Sequence, residues 1–155
     1  MMNILILFTC IGTGTVGGIF FAFSSFVMKA LAELPAAQSV AAMQRINVVV
    51  LNRAFLVLFV GTAALGVTCI AAAFFPWSAP RSPLLVAAGA LYVVGSFLVT
   101  GRCNVPMNDR LARMDALSPE AAAYWPRYVQ EWLRWNHVRT AASAASCACC
   151  ALALA

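Results

Sequence analysis

The side chains best suited to chemistry in this chain are arginines, asparagines and one histidine that border long apolar segments. A guanidinium can stabilise an enolate or phenolate, amides can hold carbonyl or hydroxyl groups, and a tryptophan can wall a pocket. Histidine is the only side-chain type that ordinarily titrates near neutral pH, so the single histidine is the predicted proton acceptor. The predicted catalytic residues are His137, Arg139 and Arg102, and the predicted substrate-binding residues are Asn47, Asn52, Arg53, Asn104, Asn108, Trp132 and Asn136.

A second interpretation of the same residues needs no ligand. Polar groups beside hydrocarbon require partners, so the arginines and amides can form a structural network that fixes the loops. His137 can equally be a passive contact to lipid headgroups, and Arg53 can extend its charged end to them. No metal site is predicted, because one histidine and a few carboxylates in loops make no recognisable ligand set.

The elements that must position these residues are apolar segments long enough to cross a membrane. Of the 155 residues, 63% are apolar and 10% are charged, whereas a soluble domain has about 45–50% and ~25%. A helix of about 20 apolar residues crosses the hydrocarbon core. The pattern predicts a single integral membrane domain over residues 1–155, with spans at about 4–28, 54–75, 84–100 and 138–155 and a polar loop at 101–137.

The predicted fold is all-α, a four-transmembrane-helix bundle with short amphipathic helices in its two cytoplasmic loops. In the first loop, residues 36–45 can form a surface helix. In the second, Ser118-Pro119-Glu120 has the form of a helix N-cap, a first-turn proline and an acid favoured by the helix dipole. Tyr128, Trp132 and Trp135 then recur at helical spacing, which indicates a helix lying against the membrane surface.

The distribution of basic residues predicts the orientation. Nine of the ten lie in or beside the first and third loops, and Arg81 alone lies on the opposite face. The excess of positive charge therefore places both long loops in the cytoplasm and both termini outside, in what is predicted to be a bacterial inner membrane. The net charge of +5 is explained by this orientation, and nothing in the sequence suggests a nucleic-acid partner. The first span has no Lys or Arg before it and continues past Phe26, so it is interpreted as a retained helix rather than a signal peptide.

Cysteines and glycines in the spans suggest further roles. Cys147 and Cys150 form a C-x-x-C pattern that also contains Cys149. A small-residue helix face is favoured for them, and copper binding or thiol redox work is the alternative. Gly14 and Gly18 are four residues apart and share one face, which permits close helix packing, including packing within a homo-oligomer.

Two motifs carry a resemblance to a known family. Asn104-x-Pro106-x-Asn108-x-x-Leu111, followed by Trp132-x-x-x-Asn136-x-x-Arg139, resembles the pattern of the anthrone oxygenase-like integral membrane family, whose bacterial members are known mostly as a domain of unknown function. The resemblance implies a four-helix membrane bundle that oxidises anthrones to anthraquinones with dioxygen and without a bound cofactor. The positions that match the family pattern are Asn47, Asn104, Asn108, Trp132, Asn136 and Arg139.

The predicted function is therefore that of a membrane-embedded, cofactor-independent oxygenase or oxidoreductase. Its substrate would be an apolar aromatic of the anthrone or quinone type, with dioxygen as co-substrate, and its partners would be the lipid bilayer and that small ligand. In the predicted mechanism a base, either His137 or a phenolate of the substrate itself, removes a methylene proton. Arg102 and Arg139 hold the resulting anion, which passes an electron to dioxygen. The competing function is that of a non-catalytic binding or accessory protein for quinones or lipids.

Overall fold

The computed structural model describes residues 2–79 and 81–155, which are almost entirely helical. The five helices are α1 (Met2–Ala32), α2 (Ala36–Val49), α3 (Arg53–Ala73), α4 (Arg81–Ala112) and α5 (Pro119–Leu154). All of them except α2 are long and apolar enough to cross a membrane. The predicted all-α bundle with four membrane-spanning helices is confirmed.

The predicted polar loop at 101–137 is wrong in its extent. Helix α4 continues to Ala112 and α5 begins at Pro119, so only residues 113–118 link them. Helix α5 starts where the sequence places a cap, because the Ser118 side chain accepts a hydrogen bond from the Ala121 amide at 3.1 Å. The polar residues on either side of this link extend the two helices beyond their apolar portions.

The helices pack closely through small residues. The carbonyl oxygen of Gly66 on α3 lies 2.3 Å from where a Cβ on Gly89 of α4 would be. Gly95 of α4 packs in the same way against Ala142 of α5. Contacts of this kind let helix backbones approach in a bilayer, where lipid tails are as apolar as the side chains. Gly14 faces Cys147 of α5, whereas a Cβ on Gly18 would meet nothing within 4 Å.

Three π-helical turns lie toward the same end of the bundle. One is Phe23–Val27 in α1, and the others are Val93–Leu98 and Thr100–Asn104 in α4. A π turn displaces the regular i→i+4 hydrogen bonds and often accompanies a functional site. Just before the first of them, the carbonyl of Phe20 accepts a hydrogen bond from the Asn136 side chain at 2.8 Å.

The outer surface of the long helices is apolar. Large side chains such as Phe8, Val57 and Leu152 are exposed on it. In water so many exposed hydrophobic side chains would be unfavourable, whereas in a bilayer they face lipid. Together with the four spans, this surface indicates an integral membrane protein.

Candidate active site

A cavity of about 530 Å³ lies at the end of the bundle that holds α2 and the π turns. All five helices contribute to its wall, which is mainly apolar and aromatic. The polar groups on the wall are Gln44, Asn47, Thr100, Arg102, Asn108, Asp109 and Arg139. A mostly apolar cavity with a few placed polar groups is typical of a site for a small organic ligand.

Arg139 is the buried cation of this cavity, with 4% of its side chain exposed. Its Nη1 donates to Thr100 Oγ1 at 3.2 Å, and its Nη2 donates to Asn136 Oδ1 at 2.6 Å. The guanidinium carbon lies 4.1 Å from the ring centre of Phe20 and 4.9 Å from that of Trp132. The two rings stabilise the cation through their π faces.

The charge of Arg139 has no acidic partner within residues 2–79 and 81–155, where the single salt bridge joins Arg127 to Glu131 on the exposed surface of α5. The Arg139 Nε is buried and finds no acceptor in the described part of the chain. A buried charge that is neither paired nor fully hydrogen-bonded is costly, so the site is suited to a ligand that brings negative charge or an acceptor oxygen.

Asn136 fixes the position of Arg139. Its Nδ2 donates to the carbonyl of Phe20 and to the hydroxyl of Ser24, both at 2.8 Å. With the amide nitrogen used in this way, the Oδ1 atom is oriented to accept from Arg139. Asn136 is fully buried and acts through Arg139 rather than on the cavity wall.

Asn108 positions an aromatic part of the wall. Its Oδ1 accepts hydrogen bonds from the Tyr128 hydroxyl at 2.8 Å and from the Trp132 indole at 2.9 Å. These bonds hold Trp132 against Arg139. Asn104, one helical turn earlier, is buried beside α5, where its Nδ2 donates to the carbonyl of Trp132 at 3.3 Å.

Asn47 brings a second unused donor to the cavity. Its Nδ2 is buried and has no acceptor among the described residues. Asn47 lies on α2, whereas Arg139 lies on α5, so two different helices each contribute to the wall a residue with a buried N–H group that has no acceptor among the described residues.

Five of the ten predicted site residues do not line the cavity: Asn104 and Asn136, whose buried positions are given above, and Asn52, Arg53 and His137. Asn52 caps α3 by accepting from the Phe55 amide at 3.0 Å, and Arg53 is exposed beside it. Polar residues at the start of a span suggested a pocket, but Asn52 caps the helix and Arg53 is exposed outside the cavity. His137 is exposed, with Nδ1 3.0 Å from the Ser24 hydroxyl. It follows Asn136 directly on α5, and this step along the helix turns it away from the cavity.

Arg102 lies on the wall but is exposed, so it belongs to the rim of the cavity rather than its interior. Sequence reasoning missed Phe20, Thr100 and Asp109 as wall residues. A phenylalanine in a membrane span carries no signal of its own. Thr100 does carry a signal, because it is the last residue of the predicted third span and its hydroxyl can accept a hydrogen bond from a buried arginine.

Five of the six cysteines lie away from this cavity, toward the opposite end of the bundle, whereas Cys103 lies on α4 at the cavity end. Cys10 Sγ and Cys147 Sγ are 3.7 Å apart, and Cys150 is buried in the same region with Cys69. Within residues 2–79 and 81–155 no group of three or more histidine, cysteine or acidic side chains is arranged to hold a metal ion.

The fold and the cavity together define an integral membrane protein with a cavity beside a buried arginine. The anthrone oxygenase family model matches residues 49–149, which is well over half of the chain. The chain belongs to the anthrone oxygenase family, and the membership suggests an oxygenase. The matched region contains Asn108, Asn136 and Arg139, and it begins after Asn47. No curated protein and no solved structure matches the chain.

Proposed function

We propose that this protein is a cofactor-independent oxygenase that converts a flat anthrone-type aromatic to the corresponding quinone within the membrane. The observation that carries the proposal is the Arg139 guanidinium, which is buried beside a cavity of about 530 Å³ and has no carboxylate partner in the described part of the chain. A fused aromatic suits the apolar wall, and its ionised oxygen would supply the negative charge that balances the Arg139 guanidinium.

The chemistry requires one acidic C–H bond and dioxygen. Hydroxide accepts the acidic methylene proton of the anthrone, and Arg139 stabilises the enolate oxygen that results. The enolate passes one electron to dioxygen, and the two radicals combine at the former methylene carbon to give a peroxide anion. This anion takes a proton back from water, which regenerates hydroxide and gives a hydroperoxide. Loss of water from the hydroperoxide leaves the second carbonyl, so one anthrone and one dioxygen give one anthraquinone and one water. His137 has no part in this scheme, because it lies off the cavity wall.

A non-catalytic binding protein for quinones is the second candidate. The cavity and its free donors favour it as much as catalysis, because they would hold an oxygen-bearing aromatic without changing it. The two functions differ in one outcome. A binding protein returns anthrone unchanged, whereas an oxygenase consumes dioxygen in proportion to the quinone formed.

The test uses the purified protein in phosphatidylcholine nanodiscs supplied with anthrone. Dioxygen uptake and anthraquinone absorbance are followed, and the spontaneous oxidation in protein-free nanodiscs is subtracted. We expect equal amounts of dioxygen and quinone from the unmodified protein, loss of this activity in Arg139→Met, and full activity in Arg134→Met, which changes an exposed arginine of the same helix. Rates in the unmodified protein equal to those of empty nanodiscs would eliminate the oxygenase, and bound quinone would then favour the binding function.

We also propose that the cavity end of the bundle faces the cytoplasm, on the basis of the basic residues grouped there. Leu117 is 82% exposed in the link between α4 and α5. In a cysteine-free background, Leu117→Cys in intact cells should resist a membrane-impermeant maleimide and react after lysis. Reaction in intact cells would reverse the orientation.

A further inference from the structure

We infer that the cavity has a lateral entrance between α3 and α4, through which a flat apolar substrate enters from the acyl-chain region of the bilayer. The chemical class of the substrate rests on the proposed function. The entrance itself rests on which residues of the cavity wall are also exposed on the outside of the bundle.

The large apolar side chains that lie on the wall and on the outer surface at once are Val48, Leu51, Leu56, Val60, Leu98 and Val105. Val48 and Leu51 precede Arg53 and Val105 follows Arg102, so these three lie on the headgroup side of the two arginines. The other three lie within the apolar parts of the spans: Leu56 and Val60 of α3 are 38% and 49% exposed, and Leu98 of α4 is 49% exposed. A residue that contributes both to a cavity and to the lipid-facing surface stands at the rim of an opening. Phe59, between the two α3 residues in sequence, is buried and lines the cavity behind them.

The depth of these residues places the rim among the lipid tails. Taking Arg53 as a headgroup-level marker, a rise of 1.5 Å per residue puts Leu56 and Val60 roughly 5 Å and 10 Å further into the bilayer. Helix α4 returns in the opposite direction and carries Arg102 at the cavity end, which puts Leu98 roughly 6 Å inside that arginine. The two sides of the rim therefore lie at matching depths, below the headgroups.

The polar wall residues lie beyond this rim. Arg102 and Asp109 are exposed and follow Leu98 on α4, toward the link between α4 and α5. An apolar ring system that partitions into the bilayer can thus pass sideways between Val60 and Leu98 without crossing water. Arg139 is buried on α5, inside the bundle, and would meet the oxygen-bearing edge of the molecule after it has entered.

The test is photolabelling with phenyl(trifluoromethyl)diazirine dissolved in the lipid of nanodiscs that hold the full chain. This probe is a small flat apolar aromatic, it requires no turnover, and its adducts can be located by mass spectrometry. We expect adducts on the buried wall residues Phe20 and Phe59 and on lipid-facing Phe8 as a reference. In Val60→Trp/Leu98→Trp the adducts on the two wall residues should be lost, while those on Phe8 persist.

The matched control is Val57→Trp/Val94→Trp. Val57 and Val94 are 74% and 59% exposed on the same two helices and do not line the cavity, so the wall adducts should remain. Should the first double variant fail to fold, Val60→Phe and Leu98→Phe are measured singly. Unlabelled wall residues in the unmodified protein, or equal wall labelling in the rim and control variants, would overturn the entrance. Wall adducts without any anthrone oxidation would keep the entrance and remove the oxygenase.

Discussion

Arg139 donates a hydrogen bond from Nη2 to Asn136 Oδ1 at 2.6 Å, from one turn of α5 to the next. The partner is a neutral amide, so the bond holds the guanidinium in place without cancelling its charge. The amide is itself held by the Phe20 carbonyl and the Ser24 hydroxyl on α1. A fixed and uncompensated cation is the kind of group that stabilises charge as it develops on a substrate, because little reorganisation is needed.

Replacing the neutral partner with an anion should disable the site. In Asn136→Asp a carboxylate would occupy the position that Arg139 already contacts, and the ion pair would compete with a substrate anion. We expect anthrone oxidation to fall by about tenfold or more, which corresponds to ~1.4 kcal/mol of lost stabilisation. Gln130→Glu adds a charge on the exposed face of the same helix and should keep full activity. Equal activity in both variants would mean that the free charge of Arg139 is not used.

The acceptor shared by Tyr128 and Trp132 should matter for stability as well as for the cavity. Asn108→Leu would leave both buried donors without their acceptor, at a cost of about 1–3 kcal/mol for each. Asn108→Asp keeps an oxygen in place and should be much closer to the unmodified protein. Thermal unfolding in detergent and the Trp132 fluorescence spectrum measure the difference. If the leucine variant is as stable as the aspartate variant, the two hydrogen bonds carry little weight.

Substitution of the only histidine should have little effect. His137 is exposed and its ring contacts Ser24 outside the cavity, so His137→Gln should oxidise anthrone within about twofold of the unmodified rate. Histidine is the side-chain type that ordinarily titrates between pH 5 and 8, so loss of a histidine proton acceptor would change the dependence of the rate on pH in that range. We expect no such change in His137→Gln. A variant without activity would restore His137 as the proton acceptor.

The contact between α3 and α4 should not tolerate a methyl group. In Gly89→Ala the new Cβ would lie 2.3 Å from the carbonyl oxygen of Gly66 and 2.6 Å from Ile70 Cγ1, so the helices must separate. We expect a loss of about 1–3 kcal/mol in the free energy of unfolding. A Cβ on Gly61 meets nothing within 4 Å, so Gly61→Ala is the matched control and should leave stability unchanged or slightly raised. Similar melting temperatures for the two variants would contradict the close packing.

The bundle could be predicted from the sequence because hydrophobic length is a strong local signal. The spans near 54–75 and 84–100 correspond to α3 and to the middle of α4. The continuity of the last helix was less predictable. The cap at Ser118 and the helical spacing from Tyr128 indicate a surface helix in the loop, whereas α5 runs without a break from Pro119 into the last span. Polarity excludes residues from the hydrocarbon but does not stop a helix that projects beyond it.

The site was predicted in part, and the reason lies in helical geometry. Trp132, Asn136 and Arg139 are spaced to share one face of α5, and the structure brings them together. His137 is adjacent in sequence to Asn136, yet it lies on another face of the helix, so proximity along the chain was misleading. That Arg139 has no acidic partner among the described residues depends on how all five helices pack, and no local pattern reveals it.

The most direct test of the central claim is an anaerobic spectroscopic titration of anthrone bound to the protein in nanodiscs. Without dioxygen the ligand cannot turn over, and its enolate is distinguished from the neutral form by absorbance. If Arg139 holds the anion, the pKa of bound anthrone should fall by about 1–3 units relative to anthrone in protein-free nanodiscs, and Arg139→Met should abolish the shift. A pKa that is the same in the unmodified protein, in Arg139→Met and in empty nanodiscs would contradict the account.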